Sequence, residues 1–205
     1  FYLKKQHRQA IVDFEFDELS LNKYDALVKE FNEVLEDEKT GYHLIKGMVV
    51  PITNSLEIDE IEKALTKSPN HIAISIEKAI RLYSNKIAPD YNNAIKEIIS
   101  AVEALCCTIA KDFGAKKETL GDALNYITKT DKDAGLPKIR LHPALKGAIG
   151  KLYGFTSDEN GIRHAGDSYT EEDVETARFM IVTCSAIINF LMVKWEKSKE
   201  VPENV

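Results

Sequence analysis

The chain has 205 residues, 44% hydrophobic and 29% charged, an ordinary globular balance with room for one domain or two small ones. Its 27 Lys and Arg against 33 Asp and Glu leave a formal charge of −6, which argues against a broad nucleic-acid face. No uninterrupted apolar run reaches the ~18 residues of a membrane span, because Thr183, Ser185 and Asn189 break the densest stretch. No secretory signal is visible, so a cytoplasmic protein with no membrane partner is expected.

Residues 1–15 mix basic and apolar side chains without a clear period. The chain starts at Phe1 rather than Met, so this stretch is read as the end of something longer, with an upstream sensor domain missing. Ser20 then precedes Leu21, Tyr24, Leu27, Val28, Phe31, Val34 and Leu35, whose spacing predicts an amphipathic helix, with Gly41 as its stop. Tyr42 to Ile45 and Met48 to Ile52, joined by Lys46-Gly47, read as a β-hairpin. Two strands alone are marginal in water, so the hairpin has to lean on a helix or on missing strands. Asn54 or Ser55 caps a short helix with Leu56, Ile61 and Leu65 on one side, and Thr66 to Asn70, containing Pro69, breaks it. The expected boundary falls there, with residues 1–69 as an N-terminal linker segment and residues 70–197 as the main domain.

Ile72, Ile76, Ala79, Ile80 and Tyr83 predict the next helix. Tyr91, Ala94, Ile95, Ile98, Val102, Leu105 and Ile109 predict a long one ending near Gly114. Thr119 to Thr128 is a shorter helix with Leu120, Leu124 and Ile127 inward. Lys129 to Leu141 is a polar connection, and Pro143 suits the first turn of a helix carrying Leu145, Ile149 and Leu152, which Gly154 closes. The last helix is the most strongly specified. Thr170 is its expected N-cap, with Asp173 at the capping-box position and Tyr169 and Val174 as a hydrophobic staple. Val174, Ala177, Ile181, Cys184, Ile188, Leu191 and Trp195 form its stripe, widened by Phe179, Met180, Val182, Ile187 and Met192, so it is expected to be contacted on more than one side. The fold class is all-α: a bundle of about five helices, two of them long, preceded by a helix and a small β-hairpin.

Cys106, Cys107 and Cys184 contain no C-x-x-C and read as small buried hydrophobes in a reducing compartment, not as a zinc site or disulfide framework. No metal or cofactor is expected. Lys138, Arg140, His142, Lys146 and Lys151 cluster locally, and such a run is most simply a solvated helix face.

Two features invite chemistry. Glu103 borders the apolar stripe of the long helix, where an unpaired buried carboxylate would cost several kcal/mol, so it faces water or has a partner, for which Arg163 is the sharper choice. Arg163 and His164 are adjacent on a Gly-flanked turn just ahead of the core helix. Arg clamps phosphate with two parallel hydrogen bonds and His transfers protons near neutral pH, so the pair suits cleavage of a phosphodiester by its own 2′-hydroxyl, without a metal. The alternative is that Arg163 bridges helices and His164 caps backbone groups. The residues alone leave both open.

Four blocks carry a family resemblance: Ile98 to Cys106 (Ile-Ile-Ser-Ala-Val-Glu-Ala-Leu-Cys), Leu141 to Lys146, Lys151 to Ala165 with its Gly161-Ile162-Arg163-His164 core, and Ala177 to Ala186. Together they resemble the C-terminal half of AbiJ-type abortive-infection proteins, which is similar to HEPN domains. Tyr42 to Leu65 resembles the segment leading into it. The resemblance implies a HEPN-like bundle on two long core helices, a homodimer with a composite cleft, and a role in prokaryotic antiviral or toxin-type defence. It also implies metal-independent RNase activity through Arg163 and His164, with Glu103 or Asp158 orienting them. RNA contacts would then come from Arg140, Lys146, Lys151, Asp158 and Asn160. Active members place the His four to six positions after the Arg. Counting from Arg163, those positions hold Asp167, Ser168 and Tyr169; counting back from His164, positions 158–160 hold Asp, Glu and Asn. A non-catalytic module that dimerises or binds RNA or nucleotide is the competing expectation.

Overall fold

The computed structural model describes residues 18–52, 54–130, 138–157 and 173–199. Two compact units divide the chain after residue 53. The mostly helical architecture with one small antiparallel pair of strands is the expected all-α class with a hairpin.

In the first unit, helix α1 (Glu18–Asp37) is followed by strands β1 (His43–Ile45) and β2 (Met48–Val50). The helix ends earlier than Gly41: Lys39, at φ +50°, makes the reversal, and Thr40 N–H donates to the Leu35 carbonyl. The strands pair in the register His43 with Val50, Leu44 with Val49 and Ile45 with Met48. Lys46 at φ +45° and Gly47 at φ +77° form the two-residue turn, whose twist matches that of the strands.

The hairpin leans on α1, as its marginal size requires. In this register Leu44 sits in a non-hydrogen-bonded pair, so its backbone groups point away from β2. The Asn32 side chain takes both: Oδ1 accepts from Leu44 N–H at 2.7 Å, and Nδ2 donates to the Leu44 carbonyl at 3.0 Å. One amide on a helix thereby does the work of a third strand. The residues beside Asn32, Val28 and Leu35, are half-buried, whereas Tyr24, Leu27, Phe31 and Val34 are exposed.

The second unit holds α2 (Ser55–Lys67), α3 (Asn70–Tyr83), α4 (Tyr91–Asp112), α5 (Leu120–Thr128), α6 (Pro143–Ser157) and α7 (Val174–Lys199). Helix α4 packs most extensively on α3, and also on α7 and α5; α7 lies against α4, α2 and α3. The stripe expected on α3 is buried in full, as are Ala94, Ile95, Ile98, Val102, Leu105 and Ile109 on α4. Side chains supply most helix starts. Asn54 accepts from Leu56 and Glu57 N–H, Asp90 from Asn93 N–H, Thr119 from Asp122 N–H, and His142 Nδ1 from Ala144 N–H.

Five local expectations are corrected. Leu56 is exposed and Ile58 takes the core place, because Leu56 is five residues, about 140° of helix, from Ile61. Helix α6 runs through Gly154 to Ser157, and its Leu145 is exposed. Phe179 lies on the outer side of α7 and is also exposed. Finally, α7 begins at Val174, so Asp173 is its N-cap and not the third helical residue: Asp173 Oδ1 accepts from Thr176 N–H at 2.7 Å. The hydrogen bonds from Thr176 hold the Asp173 carboxyl below its ordinary range. Thr170 and Tyr169 lie outside the described residues.

By length and composition α7 could cross a membrane, despite the polar residues that interrupt it. Here one side of it is packed in the unit, with Ala177, Met180, Ile181, Cys184, Ile188 and Leu191 buried.

Candidate functional site

Arg163, His164, Asp158 and Asn160 lie outside the described residues. The structure gives the frame on either side of them, the end of α6 at Ser157 and the capped start of α7 at Val174, together with Glu103.

Glu103 sits half-buried at the edge of the α4 stripe, and its Oε1 accepts from Leu120 N–H at 3.0 Å. Leu120 is the first residue of α5. Thr119 satisfies the Asp122 N–H of the same turn at 3.2 Å, so Glu103 and Thr119 together pair two of the donors a helix start leaves orphaned. A carboxylate at a helix N-terminus is also electrostatically favoured. Glu103 thus joins α4 to α5. Its other expected partner, Arg163, is outside the described residues.

Beside it, burial pushes the half-buried Cys107 thiol up, with the Glu103 and then Glu118 charges adding to the effect. Cys106 and Cys184 are fully buried, and burial drives both to about 12. The nucleophile is the thiolate, so none of the three is poised for attack. All three are free, and Cys107 departs from the fully buried expectation.

Of the basic residues, Arg140 precedes α6, and Lys146 and Lys151 lie on it. Arg140 and Lys151 are exposed and Lys146 is half-buried. Lys146 and Lys151 are about 140° apart around α6. Among the described residues none of the three enters an ion pair. Arg140 is placed by its neighbour Ile139, which is buried and donates its N–H to the Ile127 carbonyl at the end of α5. Lys138 and Lys117 lie 4.7 and 5.5 Å from the Tyr126 ring centroid, while the Tyr126 hydroxyl donates to the Phe113 carbonyl.

A polar cluster on the second turn of α7 was not singled out from the sequence. Arg178 Nε and Nη2 both donate to Glu57 Oε2 of α2, at 2.8 and 2.6 Å. Tyr83 of α3 is buried beside them, its ring 6.0 Å from that of Tyr91. The Tyr83 hydroxyl is raised to about 12, chiefly by burial, with Arg178 opposing the rise and Tyr91, Glu175 and Glu57 adding to it. The signal was half present. Asn54-Ser-Leu-Glu57 has capping-box spacing, which marks Glu57 as a first-turn residue, but nothing local says that it turns to a residue 121 positions away. With Glu57 on its fork, Arg178 ties helices together and is not an open phosphate clamp.

Among the described residues no group of three or more His, Cys, Asp or Glu side chains is arranged to hold a metal ion.

The family model described as AbiJ N-terminal domain 4 matches residues 2–67. The similarity to AbiJ-type proteins therefore falls on the N-terminal part of the chain. It takes in the stretch read as lacking a clear period, the α1–hairpin unit, and α2 of the second unit. No curated protein and no solved structure matches the chain.

Proposed function

We propose that the chain serves abortive-infection defence, through a HEPN-like helical bundle that cleaves RNA without a metal and works as a cytoplasmic homodimer. The observation that carries this reading is the similarity of residues 2–67 to AbiJ N-terminal domain 4. It is supported by the resemblance of the downstream blocks to the C-terminal half of the same kind of protein, and by a bundle organised on the long helices α4 and α7. Phe179, Phe190 and Val193 on the outer face of α7 are exposed, which suits pairing through that helix.

In this reading His164 takes the proton from a ribose 2′-hydroxyl as its oxygen attacks the adjacent phosphorus. Arg163 neutralises the charge that builds on the non-bridging oxygens. The new O2′–P bond replaces the P–O5′ bond, and the departing 5′-oxygen takes its proton from the protonated His164 or from water. Arg140, Lys146 and Lys151 would hold the strand, with Asp158 and Asn160 beside the reacting pair. The net charge of −6 limits how much nonspecific RNA the protein attracts, so contacts at the site carry the selection.

A second reading, a non-catalytic bundle that dimerises or binds RNA or nucleotide, gains from one observation: one Glu103 oxygen is already engaged by the start of α5. Incubating the purified protein with total RNA in the presence of EDTA decides between them. Fragmentation that disappears in His164→Ala is expected. Intact RNA from folded wild-type protein at high concentration would leave only the second reading.

A further inference from the structure

We propose that His43 is a proton-operated latch on the hairpin that joins α1 to the helical bundle. Neutral, its Nε2 accepts a hydrogen from Asn32 and the hairpin stays held to α1. Protonated, it cannot accept, and the hairpin is released.

The geometry fixes the proton. Asn32 Nδ2 lies 2.9 Å from His43 Nε2. An amide can in principle be turned over, presenting oxygen instead of nitrogen, but not here. Its other end faces Leu44 N–H, which can only donate, at 2.7 Å, and Nδ2 also faces the Leu44 carbonyl, which can only accept, at 3.0 Å. Turning Asn32 over would mend one contact with a protonated imidazole and set two like groups against each other at Leu44. The two amide hydrogens therefore go to the Leu44 carbonyl and to His43 Nε2. The imidazole must offer a lone pair at Nε2 and carry its single proton on Nδ1.

Protonation places an N–H where Asn32 already donates. Asn32 is the group that satisfies the outward backbone of Leu44, so what disturbs it disturbs the attachment of the whole β1 strand. The electrostatics agree: burial holds His43 below its ordinary value of 6.5, and within this unit the Glu36 charge on α1 opposes that shift without reversing it. Neither β2 nor the neighbouring Leu44 and Ile45 brings a titratable side chain to the ring. A depressed histidine is charged more readily in the released state. The latch is fully held above about pH 6.5 and loosens as pH falls towards the folded value. The hairpin runs within four residues into the Asn54 cap of α2. Release thus uncouples α1 from the chain entering the bundle, a connection that lies wholly inside the stretch similar to AbiJ N-terminal domain 4.

The test is nitrogen-detected NMR of the full chain across pH 5 to 8, which needs no variant to fold. The expected result is a neutral His43 with its proton on Nδ1, and Leu44 and Asn32 amide resonances that move with the His43 titration. A neutral ring protonated at Nε2, or Leu44 and Asn32 resonances indifferent to the titration, would overturn the proposal. Substitutions give opposite signs. His43→Gln keeps an acceptor that takes no proton, and should hold Leu44 in its neutral-pH state throughout. Asn32→Asp offers a carboxylate to a protonated ring, and should raise the His43 titration above that of the wild type. A lowered titration in Asn32→Asp counts against the latch.

Discussion

An orphaned oxygen on α7 is the simplest handle on the core. Ser185 faces inward from α7, fully buried, and its Oγ has no hydrogen-bond partner among the described residues. Removing a buried hydroxyl that makes no bond recovers its desolvation cost, so Ser185→Ala should raise stability by about 1 kcal/mol, read as a higher midpoint in urea with unchanged slope. Glu103 predicts the opposite pattern. If its weight lies in holding the Leu120 N–H, Glu103→Gln keeps an accepting oxygen and should leave stability near wild type. Glu103→Ala strands that donor and should cost about 1–2 kcal/mol. Denaturation of the two variants side by side separates this role from any part in catalysis, which Glu103→Gln would still impair. At this scale sequence was informative about character but not about partners. The position of Glu103 on the edge of an apolar stripe said that something must meet the carboxylate. That the something is a backbone amide 17 residues on depends on where α5 starts in space, which periodicity does not encode.

Among the elements, the turn and the last helix start carry the clearest predictions. Lys46 occupies a left-handed position that costs a residue with a Cβ about 1 kcal/mol and that Asn adopts easily. Lys46→Asn should therefore stabilise the hairpin by several tenths of a kcal/mol up to about 1, visible as slower amide exchange in β1 and β2. Gly47 has no such freedom to change, since its φ is +77° and an added Cβ would also stand 3.4 Å from the Tyr24 hydroxyl. For α7, Asp173→Ala should lower stability by removing the cap on Thr176, read as a lower midpoint in urea. The Asp173 contribution is present above its ordinary value of 3.8 and fades as pH falls through its lower folded value, so wild type and variant should converge in acid melts. Sequence reading placed the hairpin turn correctly because Lys46-Gly47 sits between two short apolar runs. It misplaced the cap because Thr170 and Asp173 both have capping side chains, and the choice between them rests on where the helix begins, at Val174.

Across the whole molecule, the helical unit was legible and its cross-links were not. The buried faces of α3, α4 and α5 follow from spacing alone, since each stripe repeats at three and four residues and each helix has room for only one inward side. The polar ties that fix neighbours in register join residues far apart in the chain: Arg178 to Glu57, Asn189 to the Glu60 carbonyl and carboxylate, and Trp195 Nε1 to Asp112. The Arg178–Glu57 pair, only partly shielded from water, should show a coupling of about 1 kcal/mol or less in a double-mutant cycle with Arg178→Gln and Glu57→Gln. Full additivity would mean that the contact adds nothing to stability.

The place of α7 in the chain has a consequence for synthesis. Its partners α2, α3 and α4 all precede it, so a ribosome that has released everything as far as Asp173 holds those helices around an unfilled slot. The 26 residues of α7 are then still in the exit tunnel, and by composition an 18-residue window of them is apolar enough to pass for a membrane span. That apolar window therefore stays exposed to any factor sorting by hydropathy until α7 docks on α2, α3 and α4.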